Sequence, residues 1–192
     1  MSAAHEPRIW VIRHGETEWS LSGRHTGTTD VPLTADGEAQ ARAVAPLLAD
    51  TTFSHFWTSP LQRARRTCEL AGLAAGAEVD PDLREWDYGA FEGVTTPTIR
   101  ETHPGWTIWS GPWPEGETPA EVAARADRVI ERALGSVGPV AVFAHGHLLR
   151  VLAARWCGLD PTEGSRFLLD PATVGILGWE HGIRAVARWN AR

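Results

Sequence analysis

The sequence has no lysine: all 18 of its basic residues are arginine. The plainest source is a GC-rich coding bias. The absence still has a chemical consequence. Any cation that holds an anion here must be a guanidinium, which offers parallel donors and stays charged at any working pH. Cysteine is scarce too. Cys68 and Cys157 lie far apart in helical, largely apolar contexts. That excludes a disulfide framework and a metal-ligand spacing, and leaves two buried thiols. No apolar run approaches the ~20 residues of a membrane span. The opening Met1-Ser2-Ala3-Ala4-His5-Glu6-Pro7 lacks the basic n-region and apolar h-region of a secretory signal. Nor is there a basic excess: net charge is −6, without the positive footprint of a nucleic-acid binder. The expectation is a cytoplasmic protein that binds neither nucleic acid nor membrane.

What is present is the pattern of one α/β domain spanning 1–192, a length that accommodates a sizeable core. Short β-branched or aromatic runs mark strands at about Arg8–Arg13, Phe56–Thr58, Glu78–Val79, Val140–Ala144, Thr173–Trp179 and Arg184–Trp189. Between them fall helices. One covers about Ala35–Ala49 behind the cap Thr34. A second starts at Ser59-Pro60 and runs to about Leu70. A third follows the capping box Thr118-Pro119-Ala120-Glu121 to Leu134, and a fourth covers about Leu148–Trp156. A long segment, about 81–117, is rich in proline, glycine and tryptophan, with a short helix at Thr96–Thr102. Connections of that length in compact domains usually carry function. Glu180-His181-Gly182 suits a hairpin turn. Alternating strands and helices predict a three-layer sandwich: a mostly parallel sheet covered on both faces, closed by a C-terminal antiparallel hairpin. Its exposed hydrophobic edges are compatible with a homodimer.

Two of the predicted strands end in the same way. Ile9-Trp10-Val11-Ile12 leads into Arg13-His14-Gly15-Glu16-Thr17, and Val140-Ala141-Val142-Phe143 leads into Ala144-His145-Gly146-His147. In open α/β sheets, ligands bind beyond the carboxyl ends of the strands. A lone histidine there is usually structural. Two in one layer, with Arg13 beside the first and glycines that admit a ligand close to the backbone, point to an anion-binding catalytic site.

Four motifs in order carry a resemblance that runs from Arg8 to about Trp179. They are Arg13-His14-Gly15-Glu16-Thr17, Arg63 in Ser59-Pro60-Leu61-Gln62-Arg63-Ala64, Glu85 in Leu83-Arg84-Glu85-Trp86-Asp87-Tyr88-Gly89, and His145-Gly146. Together they resemble the histidine phosphatase superfamily, the phosphoglycerate-mutase-like group. The resemblance implies a small phosphorylated substrate and a phosphohistidine on His14, whose other ring nitrogen is fixed by a carbonyl, here that of Gly15. It implies a clamp of Arg13 and Arg63, to which His145, if protonated, adds a third donor at the opening of a helix. Glu85 would be general acid and then base, with Asp87 as the second choice. Thr17, Thr26, Gly27, Tyr88, Gly146 and His147 fall at substrate-side positions, and Trp106, Trp109 and Trp113 would wall the pocket. Ser20 and His147 stand where the family often has asparagine. No metal or cofactor is implied.

Mutase and phosphatase share this core. Glu85 and His145 are 60 residues apart, and the interval carries no adjacent arginine pair before the third helix. In the cofactor-dependent mutases a longer, basic insertion excludes water there, so that the phosphoryl group is transferred and not hydrolysed. The shorter interval favours a phosphatase, with a 2,3-bisphosphoglycerate-dependent mutase as the alternative and a silent phospho-ligand-binding protein behind it. Glu85-Trp86-Asp87-Tyr88-Gly89, Trp106-Thr107-Ile108-Trp109 and Arg166-Phe167-Leu168-Leu169-Asp170 are similar to segments of sedoheptulose-1,7-bisphosphatases and of small broad-specificity acid phosphatases. That implies a sugar phosphate as substrate.

Overall fold

The computed structural model describes residues 6–192, so most of the opening segment read for a secretory signal lies outside the described residues. Six strands form one sheet in the order β3-β2-β4-β1-β5-β6: β1 (Ile9–Arg13), β2 (His55–Thr58), β3 (Ala77–Val79), β4 (Val140–Ala144), β5 (Val174–Glu180) and β6 (Ile183–Ala191). The pairs β3·β2, β2·β4 and β4·β1 are parallel, whereas β5 runs antiparallel to β1 and to β6. The two-residue turn between β5 and β6, His181-Gly182, has positive φ at both positions, as a tight right-twisted hairpin requires.

Side chains leave a strand alternately, and the core divides accordingly. Ile9, Val11, Val140 and Val142 face α5 (Pro119–Leu134) and α6 (Gly146–Trp156), where they meet Val129, Leu149 and Trp156. Ile12, Ala141 and Phe143 face α2 (Ala35–Leu48) and α3 (Gln62–Leu70), where they meet Val44, Leu48 and Cys68. This is the expected three-layer sandwich with its antiparallel edge. Among the described residues, no helix is long and apolar enough to cross a membrane.

Local differences have local causes. A short helix, α1 (Glu18–Leu21), is absent from the sequence reading. Thr17 and Ser20 close it by a reciprocal cap within a single turn, too short to leave a hydrophobic period. Helix α3 starts at Gln62 and not at Ser59-Pro60, because its first N–H groups find a remote acceptor: Gln62 N–H donates to Asp30 Oδ1 at 2.7 Å. The helix α4 (Thr96–Thr102) and the capping box of α5 form as expected.

Gly15 serves a purpose other than the one its motif suggests. Instead of admitting a ligand, it packs against the start of α2. A Cβ on Gly15 would collide with the Gly37 carbonyl, and a Cβ on Gly37 with the carbonyl of Glu16. Two backbones therefore touch directly behind His14. Replacing a helical glycine by alanine normally stabilises by ~0.5–1 kcal/mol. At Gly37 the sign reverses: Gly37→Ala is expected to cost ~1–3 kcal/mol in urea unfolding, as overpacked sites do. A neutral or stabilising result would show that the contact relaxes freely.

Candidate active site

Parallel pairing places Arg13 of β1 opposite Ala144 of β4, and His14 N–H extends the ladder to the Ala144 carbonyl at 3.0 Å. His14 and His145 thus emerge together, their rings 5.2 Å apart. An open cavity of about 180 Å³ lies beyond them, lined by Arg13, His14, Thr26, Glu85, Tyr88, Gly146 and His147, and also by Ser20, Gly23, Arg24, His25, Arg150 and Leu169.

His14 is buried, and its Nδ1 lies 2.7 Å from the Gly15 carbonyl. A carbonyl only accepts, so Nδ1 carries the proton and Nε2 keeps its lone pair. Burial, and then the Arg63 and Arg13 charges, hold the imidazole well below the ordinary histidine value. It is a neutral imidazole with one nitrogen uncommitted. Thr67 of α3 fixes the following residue by accepting from Gly15 N–H at 3.1 Å.

Arg63 is fully buried, and four of its five N–H groups are engaged by protein. Nε donates to His145 Nδ1 (3.2 Å), Nη1 to Thr29 O (2.9 Å), and Nη2 to Thr26 O (3.0 Å) and Gly27 O (2.9 Å). One N–H on Nη1 has no protein partner, but Arg63 does not line the cavity. Most of this side chain therefore holds the 26–29 segment. The other face of that segment is held by Glu92, whose carboxylate accepts from Gly27 and Thr29 N–H at 2.9–3.0 Å.

His145 does not meet the condition for a third cation in the clamp. Arg63 can only donate, so His145 Nδ1 accepts and Nε2–H donates to Ser59 Oγ at 2.7 Å. Burial and the Arg63 charge press the ring well below its usual value. His145 is neutral and lies behind the cavity wall. The N-terminus of α6 is open to substrate only at Gly146, which lines the cavity. His147 N–H (3.0 Å) donates to Glu85 Oε2, while Leu148 N–H and Trp86 N–H (both 2.9 Å) donate to Oε1. Glu85 caps the helix in its turn. Oε1 receives two bonds and Oε2 one, so Oε2 keeps a site for a proton.

Arg13 completes the group. Its Nη1 donates to the Leu169 carbonyl, and its guanidinium lies against Gly146, where a Cβ would stand 3.4 Å from it. Its Nε is the single buried side-chain N or O atom without a hydrogen-bond partner among the described residues.

The remaining predicted residues divide. Thr26, Tyr88, Gly146 and His147 line the cavity, whereas Thr17 and Gly27 do not. Thr17 is fully buried and caps α1, and Gly27 packs against the Trp86 carbonyl and Glu92. Tyr88 O–H meets His147 Nδ1 at 2.6 Å. Burial keeps the phenol protonated and the imidazole neutral, so the pair shares one proton across this contact without charge. Asp87, the second choice for the acid, is absent from the cavity; its Oδ1 accepts from Gly89 N–H at 2.9 Å. The tryptophans stand one layer back. Trp109 packs on His147 at 5.4 Å and under Arg150 at 4.8 Å, Trp106 packs on His25 at 5.3 Å, and Trp113 donates to Ile108 O within its own loop. His25 and Arg150 are cavity residues that the sequence reading missed. The only signal for His25 is its place next to Thr26; Arg150 lies on α6 outside every motif. Among the described residues, no three His, Cys, Asp or Glu side chains converge as a metal site.

Residues 9–192 match the family model of the histidine phosphatase superfamily, branch 1. The chain is 44% identical over 184 residues to an acid phosphatase of Mycobacterium tuberculosis, covering 94% of this chain and 90% of that one. It is 37% identical to the sedoheptulose 1,7-bisphosphatase of Saccharomyces cerevisiae, covering 91% and 88%. A solved structure of an open reading frame product of Mycobacterium tuberculosis superposes with a TM-score of 0.92 at 42% identity, over 96% and 97% of the two chains. The chain belongs to the histidine phosphatase superfamily. Within it, the chain is a phosphatase, a hydrolase of phosphate monoesters.

The buried imidazoles set a pH dependence. His14, His145 and His147 are held well below their usual value, and burial takes His25 from 6.5 to about 4. Below pH 6.5 the unfolded chain thus binds more protons than the folded one, so stability falls as pH falls. His25 contributes nothing to this above its unfolded value and increasingly destabilises down to about pH 4. His25→Gln should flatten the decline of unfolding free energy between those limits by up to about 1.4 kcal/mol per pH unit, read from urea titrations. An unaltered slope would rule the assignment out.

Proposed function

We propose that the protein hydrolyses small phosphate monoesters, sugar phosphates as the class, through a phosphohistidine on His14 with Glu85 as proton donor and acceptor. The observation that carries this reading is the unpartnered Arg13 Nε, buried beside a neutral His14 with a free nitrogen. An unpaired buried donor is costly, and an anion removes that cost. A phosphoryl group spreads its charge over three peripheral oxygens, and catalysis of its transfer is mostly positioning and charge stabilisation. Arg13 and the Gly146 N–H, both at the cavity wall, suit those oxygens, with the Arg63 charge close behind. His145 contributes by orienting Arg63.

In the first half-reaction His14 Nε2 attacks phosphorus as the ester P–O bond breaks, and Glu85 Oε2 gives its proton to the leaving oxygen. In the second, Glu85 takes a proton from water. The oxygen attacks phosphorus, the N–P bond breaks, and His14 returns neutral. Glu85 loses one proton and regains one, so the cycle balances.

The sugar-phosphate class is supported by the polar lining at Arg24, His25, Thr26, Tyr88, His147 and Arg150, and by the likeness to the yeast bisphosphatase. Gly27 acts from behind, where Arg63 and Glu92 hold its carbonyl and N–H and so fix the neighbouring Thr26, while Thr17 closes α1 beside the cavity residue Ser20.

The test is phosphate release from sugar phosphates, phosphoglycerates and p-nitrophenyl phosphate, with EDTA present. Release is expected to survive EDTA and to vanish in His14→Ala, together with any trapped phosphoenzyme. No release from any ester, with phosphoryl exchange appearing only when bisphosphoglycerate is added, would replace hydrolysis by mutase chemistry. Glu85→Gln should lower kcat/KM for alkyl phosphates by ~10²–10⁴ and p-nitrophenyl phosphate far less, since the better leaving group needs no proton. Equal losses would remove Glu85 from the acid role.

A further inference from the structure

The geometry points to Arg125 as the positioning residue for Glu85, acting through a bidentate ion pair with Glu117; this rests on the acid role of Glu85 proposed above. Arg125 lies on α5, is 6% exposed and lines no part of the cavity. Its Nε and Nη2 donate to the two oxygens of Glu117, each at 2.8 Å. Nη1 donates to the carbonyls of Asp82 (2.7 Å) and Arg84 (3.0 Å), and Nη2 also reaches that of Glu85 (3.4 Å). Every donor of the guanidinium is thus engaged.

Glu117 grips the same loop a second time. Its Oε2 accepts from Asp87 N–H (3.0 Å), its carbonyl accepts from Trp86 Nε1–H (2.7 Å), and its N–H donates to the Asp87 carbonyl (2.9 Å). The pair therefore binds the main chain at 82, 84, 85 and 87 and the side chain of Trp86, on either side of the acid. It touches neither the Glu85 carboxylate nor the reacting atoms.

A buried ion pair is weak evidence for stability, because desolvation offsets its attraction. The segment it binds has no regular structure between the 3-10 turns at Pro81–Leu83 and Gly89–Phe91, so its buried carbonyls need donors from elsewhere. A proton donor works only if held within a fraction of an ångström of the leaving oxygen. The planar fork reaches a carboxylate and several carbonyls at once, which an ammonium cannot do.

The experiment measures kcat, KM and melting temperature for Arg125→Lys and Glu117→Gln, with Glu85→Gln as reference, on p-nitrophenyl phosphate and on glycerol phosphate. Arg125→Lys is expected to lower kcat/KM on glycerol phosphate ~10- to 100-fold and on p-nitrophenyl phosphate less than ~3-fold, through kcat with KM nearly unchanged. Glu117→Gln should give the same selective loss, and decides the matter if Arg125→Lys does not fold. Equal losses on both esters, or full activity in the folded variants, would overturn the positioning role while Glu85→Gln still shows the selective loss. If Glu85→Gln itself shows no selectivity, the acid assignment fails, and the positioning role with it.

Discussion

The parallel pairing of β1 with β4 is the constraint from which the site follows. Arg13 stands opposite Ala144, so the next residue on each strand is a histidine, and both rings enter one layer at the edge of the sheet. A slip of one residue would turn Ile9, Val11 and Val142 to the wrong helical layer. Hydrophobic alternation thus enforces the register, and the register places the chemistry. The same pairing puts the N-terminus of α6 one residue beyond His145, within reach of a carboxylate from the 81–117 loop.

Around that junction the molecule keeps its imidazoles neutral and its guanidiniums charged. Arg63 is almost saturated by carbonyls of the 26–29 segment, so it organises the wall more than it reaches a substrate. Arg13 is the reverse case, a buried guanidinium with a donor left open. The division suits the proposed phosphoryl chemistry: one cation fixes the frame, and the other keeps a donor unspent. Donors held in fixed directions by the protein stabilise developing charge better than mobile water does, because they need no reorganisation.

Features governed by neighbours in sequence were legible. The two strand-to-histidine steps, the capping box at Thr118 and Glu121 and the His181-Gly182 turn need only local rules, and each forms as expected. Features governed by distant partners were not. Nothing near Gln62 announces that Asp30 will cap α3, and nothing in the Arg13-His14-Gly15 motif announces that Gly37 will lie against it. The protonation of His145 stays open in the sequence for the same reason, since it is set by Arg63, 82 residues away. His25 and Arg150 reach the cavity only because the 20–27 segment and α6 fold toward each other there.

The lack of lysine acquires a structural meaning in this light. Arg63 binds an imidazole and three carbonyls at once; Arg125 binds a carboxylate and loop carbonyls; Arg150 binds two carbonyls while lying over an indole. Each position calls for a flat cation with donors in fixed directions, and an ammonium has neither the plane nor the reach. A coding bias is enough to explain arginine on the surface. At these three positions geometry favours arginine in any composition: Arg63 and Arg125 hold the loop segments that carry the cavity residues Thr26 and Glu85, and Arg150 fastens the 3-10 turn at Pro161–Arg166 while lining the cavity itself.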